Sequence, residues 1–315
     1  MDKQMLNPHE SLGIAQTIFY IPIVPAAIRL MRRNGQIRPR LAWWPLIPFS
    51  LIRLAGGPVT IALEKSPSIG LYSAAIILLN VGVVPLIIAT LGFVRIMQVH
   101  PYILLYPPLV PLSSLSPLFA PRSTIKERKE RYERISRANL LLDNHTSPSR
   151  TRTLTALMRG TIAAAICLLA AGGGISSLDT PFGMHLSRTL TLVGYIVFAV
   201  MHIVLIGIMG FYWRRRKTLL PSSRIVLRGG LLASPFLITR TIFGLLEVAL
   251  QDDSSSPFNP VVGNAVAFAL MALLPEYVVV LVYLHTGFSV APDRGVVREV
   301  VEEETGTITC TQEAV

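Results

Sequence analysis

Apolar positions along this chain fall into long blocks, and the polar positions between them are short and rich in arginine and lysine. A helix that crosses a membrane needs about 20 mainly apolar residues to cover roughly 30 Å of hydrocarbon. Seven blocks reach that length, at 11–31, 41–63, 71–95, 154–176, 189–213, 229–250 and 261–285. The pattern predicts an all-α, polytopic bundle of seven transmembrane helices over residues 1–285, with an insertion at 96–153 and a tail at 286–315.

Composition strengthens this reading. Of 315 residues, 51% are hydrophobic and only 15% charged, against about 25% charged in an average soluble protein. Too few charges remain to cover a water-exposed surface. The net charge of +11 does not indicate a nucleic-acid partner, because the basic residues lie between apolar blocks and not on one polar face. The first block follows a polar start, MDKQMLNPHE, without a basic leader region or small-residue cleavage site, and is expected to be a retained helix.

Basic residues also orient the bundle, since short basic loops stay in the cytoplasm. Stretches 29–40, 95–159 and 214–228 hold 22 of the 29 Lys and Arg residues, and the opposite loops hold almost none. The N-terminus is expected outside and the C-terminus in the cytoplasm, in a multi-pass protein of the endoplasmic reticulum or plasma membrane. Basic loops of this kind attract anionic lipid. Cys167 falls inside the fourth block and Cys310 in the tail, so no disulfide is expected between them.

The insertion divides in two. Residues 100–121 are apolar but carry Pro101, Pro107, Pro108, Pro111, Pro117 and Pro121, which argues against an eighth crossing helix. They are expected to form a re-entrant or interfacial hairpin, or a poorly ordered insertion such as an unspliced intron would leave. The following STIKERKERYERISRANLLL has charges of both signs at helical spacing and is expected to form a short cytoplasmic helix. The tail, with Glu299, Glu302, Glu303 and Glu304, is expected to be disordered.

Ionisable side chains inside a bilayer are expensive, at least about 2.5 kcal/mol each, so each requires a partner or a role. Five qualify: Arg53, His202, Arg240, Glu247 and Glu276. Counted from the cytoplasmic ends at about 1.5 Å per residue, four of them fall at mid-membrane, with Glu247 roughly 10 Å further out. Arg240 and Glu247 are two turns apart and share a helix face. In a purely structural arrangement Arg240 pairs with Glu276, while Arg53 bonds carbonyls freed around Gly56, Gly57 and Pro58. The prolines Pro45, Pro48 and Pro58 with those glycines predict a kinked or unwound second helix. Trp43 and Trp44 are expected in an interfacial aromatic belt, and Phe49, Phe236, Phe243, Phe268 and Tyr277 in packing or against a ligand.

The runs Phe49-Ser50-Leu51-Ile52-Arg53 with Gly56-Gly57, Pro235-Phe236-Leu237-Ile238-Thr239-Arg240-Thr241-Ile242-Phe243, and Leu274-Pro275-Glu276-Tyr277-Val278-Val279 resemble fungal seven-helix membrane proteins of poorly known function, a group distantly similar to the RTA-like lipid-translocating exporters. The architecture is also similar to that of the integral membrane terpene cyclases of fungal meroterpenoid pathways. The cyclase likeness, towards which the two buried carboxyl groups tilt the reading ahead of the exporter alternative, implies an enzyme of secondary metabolism that protonates an apolar, prenylated substrate through Glu247 or Glu276, with Arg53, His202, Arg240 and Tyr277 around the substrate. The exporter likeness implies a lipid or small-molecule translocator or sensor using the same residues. A receptor reading is disfavoured because the third block ends Gly92-Phe93-Val94-Arg95. No metal-spaced His or Cys cluster and no phosphate-binding glycine loop is present in the sequence, so neither metal nor cofactor is expected.

Asn144-His145-Thr146 is a glycosylation sequon in the most basic loop. Cytoplasmic placement predicts that Asn144 is unmodified. Glycosidase treatment and Asn144→Gln should both leave the electrophoretic mobility unchanged; a shift would invert the orientation.

Overall fold

The computed structural model describes residues 7–34, 42–66, 68–105, 149–175, 181–216, 219, 221–250, 257–258 and 263–290. Among them there are helices and no strand. The helices are α1 (Pro8–Tyr20), α2 (Ile23–Asn34), α3 (Leu46–Lys65), α4 (Ile69–Val81), α5 (Val83–Leu105), α6 (Ser149–Ile175), α7 (Pro181–Arg214), α8 (Pro221–Ala249), α9 (Ala265–Phe268) and α10 (Leu274–Ser289). Seven spans result, because α1 and α2, α4 and α5, and α9 and α10 are each successive parts of one crossing. This is an all-helical integral membrane protein.

The helices extend beyond several of the expected blocks. The fifth span starts at Phe182 and the sixth at Ser222, because polar turns at a helix end remain helical when their backbone is internally bonded. Helix α5 continues to Leu105 and α6 starts at Ser149, both within the expected insertion, and α10 runs to Ser289, past residue 285. The remainder of the insertion, Asn144, and the tail from 291 lie outside the described residues.

The second span is not unwound, and Pro58 remains the place for the expected kink. It is one continuous helix, Leu46–Lys65, with Pro58 inside it. Pro45 is its N-cap and Pro48 lies in its first turn, where no backbone N–H is required. Gly56 and Gly57 serve contact and not unwinding: a Cβ on Gly57 would lie 2.6 Å from the Gly13 carbonyl oxygen. Small residues there let α1 and α3 pack backbone to backbone, the usual device between membrane helices.

Discontinuities fall instead in the first, third and seventh spans. Pro22 and Pro25 interrupt the first between α1 and α2 by withholding the donors that the Ile18 and Ile21 carbonyls would receive in a continuous helix. In the third, Gly82 forms the turn between α4 and α5, and Pro85 cannot donate to the Val81 carbonyl. In the seventh, a π-helical turn at Ala269–Leu273 precedes α10, whose first turn contains Pro275.

Two apolar cores flank α5. One gathers residues of the first, second, sixth and seventh spans around Leu86, Ala89, Phe93 and Ile96. The other gathers residues of the fourth, fifth and sixth spans around Val83, Ile87, Leu91 and Val94. Buried on both sides, α5 is mainly apolar all round from Val83 to Val94, as a central helix must be. Trp43 is fully buried against Phe93, while Trp44 is exposed.

Close packing at the third-span break sets a test. A Cβ on Gly82 would collide with the Arg53 guanidinium, whereas one on Gly160 meets nothing within 4 Å. Thermal unfolding in detergent should show Gly82→Ala destabilised by about 1–3 kcal/mol and Gly160→Ala unchanged or stabilised by up to about 1 kcal/mol.

Candidate functional site

Two of the breaks, at Gly82 and just before α10, lie where charged side chains of different spans meet. Arg53 comes from α3, Arg240 from α8 and Glu276 from the first turn of α10, immediately after Pro275. All three are at most 1% exposed. Glu276 Oε1 accepts from Arg53 Nη2 at 2.5 Å and from Arg240 Nε at 2.5 Å. Arg53 Nε forms a further ion-pair contact with Glu276 Oε2.

The two guanidiniums also share a backbone acceptor. The Leu79 carbonyl accepts from Arg53 Nη2 at 3.3 Å and from Arg240 Nη2 at 3.1 Å. Leu79 is in the last turn of α4, where carbonyls lack intrahelical donors and the helix dipole is negative. Without the break at Gly82 that carbonyl would be less available. Gly82 itself leaves the space that Arg53 occupies.

Neighbouring groups fix the cluster in place. Gln16 Nε2 donates to the Arg53 carbonyl at 2.6 Å, tying α1 to α3 at this level. Tyr195 of α7 lies beside Arg240, and its ring occupies the space above Gly244. The Arg240 guanidinium carbon is 5.7 Å from the centroid of Phe243, within reach of a cation–π contact. Tyr20, near Arg53 and Glu276, packs edge-on against Phe49 and Tyr277, with ring centroids 5.8 Å apart in both cases. Its hydroxyl is buried with no hydrogen-bond partner among the described residues.

The sequence-derived candidates therefore divide. Arg53, Arg240 and Glu276 meet, and Arg240 pairs with Glu276 as the structural arrangement supposed. Arg53 does not bond carbonyls around Gly56; it turns to Glu276 and the Leu79 carbonyl. Glu247 is on the Arg240 face and is among the charges acting on that residue, with its Oε2 buried and without a hydrogen-bond partner among the described residues. Tyr277 belongs to the aromatic group of Phe19 and Tyr20. His202 departs from the common level. Its Nε2 is 3.4 Å from the Ser234 carbonyl oxygen, six residues or about 9 Å along the helix from Arg240.

Sequence reasoning missed Leu79, Gly82, Tyr195, Tyr20 and Gln16. The pair Gly82 and Pro85 carried the signal for the Leu79 carbonyl, since a proline after a glycine inside an apolar block marks a helix break. Nothing local marks Tyr195 or Gln16, whose roles depend on which helices become neighbours.

Residues 6–101 and 132–293 match the family profile described as Domain of unknown function (DUF7702). The chain belongs to the DUF7702 family. The match covers all seven spans and every residue of the cluster, and it skips residues 102–131, which contain most of the proline-rich stretch of the insertion. No curated protein and no solved structure matches the chain.

With two cations on one carboxylate, the cluster is sensitive to loss of the anion. Removing one partner of a buried ion pair costs about 3–5 kcal/mol, whereas replacing all partners by apolar residues of similar size is often neutral. Glu276→Gln should therefore unfold at a markedly lower temperature in detergent. The triple variant Arg53→Met, Arg240→Met, Glu276→Met should regain most of that loss.

Proposed function

We propose that this protein translocates or senses an anionic amphiphile, and that the Arg53–Glu276–Arg240 cluster is the lock that such a ligand opens. The observation that carries this reading is the sharing of one carboxylate by two guanidiniums where the broken ends of two spans, at Leu79 and Glu276, meet the continuous helices α3 and α8. Interrupted helices whose ends line an ion cluster are the parts from which membrane transporters build movable binding sites. A triad of two cations and one anion carries excess positive charge within the membrane, and only a second anion balances it. In the described arrangement Glu247 is the nearest further acid on the same helix.

An entering anionic headgroup competes with Glu276 for Arg53 and Arg240. Displacing the carboxylate removes the tie between the second, sixth and seventh spans and frees the α4 end at Leu79. Ligand and lock thus use the same donors. This couples binding to movement without requiring a separate switch, since a ligand shifts an equilibrium only by its differential affinity for the two states.

A second reading has its own support. Glu247 places a carboxylate one turn from Phe243, which packs edge-on or tilted with Phe258 and Phe268 at centroid distances of 6.2 and 6.0 Å. A carboxylic acid beside aromatic faces suits protonation of a prenylated olefin or epoxide and stabilisation of the resulting carbocation. In that enzyme Glu276, held by two arginines, has an orienting role and Glu247 is the acid.

The two readings separate in one reconstituted system. Proteoliposomes are assayed for movement of fluorescent phosphatidylserine and phosphatidylcholine between leaflets, and in parallel for cyclised product from a prenylated phenol. Translocation predicts movement of the anionic lipid that falls at least about tenfold in Arg240→Lys, because lysine keeps the charge but cannot hold Glu276 and the Leu79 carbonyl together. Product formation abolished by Glu247→Gln, without lipid movement, would overturn translocation in favour of the enzyme.

A further inference from the structure

The charge cluster faces the bundle interior, but α7 has a second organised face that points away from it. Ile196, Val200, Ile203, Gly207, Phe211 and Arg214 follow one another at intervals of three or four residues, so they lie on one side of the helix. The apolar members are exposed among the described residues, from 48% at Ile196 to 67% at Ile203. In a membrane this face meets acyl chains.

Its lower end has a distinctive form. A Cβ on Gly207 or on Gly210 would meet nothing within 4 Å, so the apolar wall recedes there into a shallow notch. The notch lies about 6–10 Å along the axis from Arg214. Immediately beyond it the chain reads Arg214-Arg215-Arg216, all exposed. The Arg215 guanidinium carbon is 4.6 Å from the Phe211 ring centroid, and that of Arg216 is 4.8 Å from the Trp213 centroid. Both distances are within cation–π range. Tryptophan and other aromatic rings settle at headgroup depth, so the rings hold the two guanidiniums at the plane where lipid phosphates lie.

From this arrangement we infer that the α7 face from Ile203 to Arg214, with the basic turn that follows it, binds one anionic phospholipid. Its phosphate and acidic headgroup are received by Arg214 and Arg215 at the end of this face, with Arg216 adding positive charge from the far side of the helix end, and one acyl chain lies in the notch at Gly207 and Gly210. Charge complementarity selects the headgroup, because guanidiniums donate paired N–H groups to phosphate oxygens. Continuity of the apolar face into the basic collar selects a lipid over a soluble anion, since only an amphiphile uses both parts. The site is independent of the interior cluster and holds whether that cluster serves transport or catalysis.

The test uses the full-length protein, purified and equilibrated in micelles with equimolar phosphatidylserine and phosphatidylcholine, and counts retained lipids by native mass spectrometry. Wild type should retain phosphatidylserine over phosphatidylcholine by roughly tenfold or more, from about a few-fold per basic residue at a membrane surface. The triple variant Arg214→Gln, Arg215→Gln, Arg216→Gln should retain the two equally. Gly207→Leu, which fills the notch, should lower retention of both while keeping the wild-type preference. These residues are exposed, so a monodisperse elution profile serves as the check that the variants fold. An unchanged preference in the triple variant would overturn the proposal. So would loss of bound phosphatidylserine to millimolar inorganic phosphate, which would make this a simple anion site. A change in oligomeric state in Gly207→Leu with lipid retention intact would assign the face to a second copy of the chain.

Discussion

The sharing of the Glu276 carboxylate by Arg53 and Arg240 is the constraint around which this bundle is organised. Inside a membrane neither a lone carboxylate nor a lone guanidinium is tolerable, and the cost falls only when each finds a partner. Three spans must therefore come together at one depth: α3, α8 and α10. A fourth supplies the Leu79 carbonyl, which is available because α4 ends there. Much of the local backbone follows from this requirement. Gly82 lacks a side chain where Arg53 lies, and Gly244 lacks one where the Tyr195 ring approaches Arg240.

Helix interruptions are costly in lipid, where every unpaired backbone group goes without water. Here they occur in the three spans that contribute Tyr20, Leu79 and Glu276, the groups nearest the cluster. Proline explains each break chemically: Pro22 and Pro25, Pro85, and Pro275 all withhold a donor. The cluster in turn uses what the breaks release, most directly at Leu79. Charge and backbone irregularity thus compensate each other, and that mutual dependence distinguishes this arrangement from a buried salt bridge on continuous helices.

The spans were legible in the sequence because length and hydropathy alone decide whether a segment can cross a bilayer. The cluster's members were legible for the same reason, since Arg53, Arg240 and Glu276 interrupt apolar blocks. Their partners were not. Arg53 was expected at Gly56 and Gly57 because a glycine pair beside proline suggests an unwound turn, but those glycines serve the contact with Gly13 of α1. His202 counted to the same depth as Arg240, yet its ring meets the Ser234 carbonyl, six residues along α8 from Arg240. Tyr195 and Gln16 depend on which helices pack together, which no local pattern records. The match to the DUF7702 family covers the spans and the cluster alike and skips residues 102–131.

A double-mutant cycle between Arg53 and Arg240 tests the central claim most directly. The two arginines are on different spans and touch through Glu276 and Leu79, so their effects on unfolding free energy should be linked. Arg53→Met, Arg240→Met and the double variant, measured by equilibrium unfolding in the same detergent, should give a coupling energy of about 1 kcal/mol or more. Additive effects, within about 0.5 kcal/mol, would mean that the two cations do not share an anion and that Glu276 is not the tie between the spans.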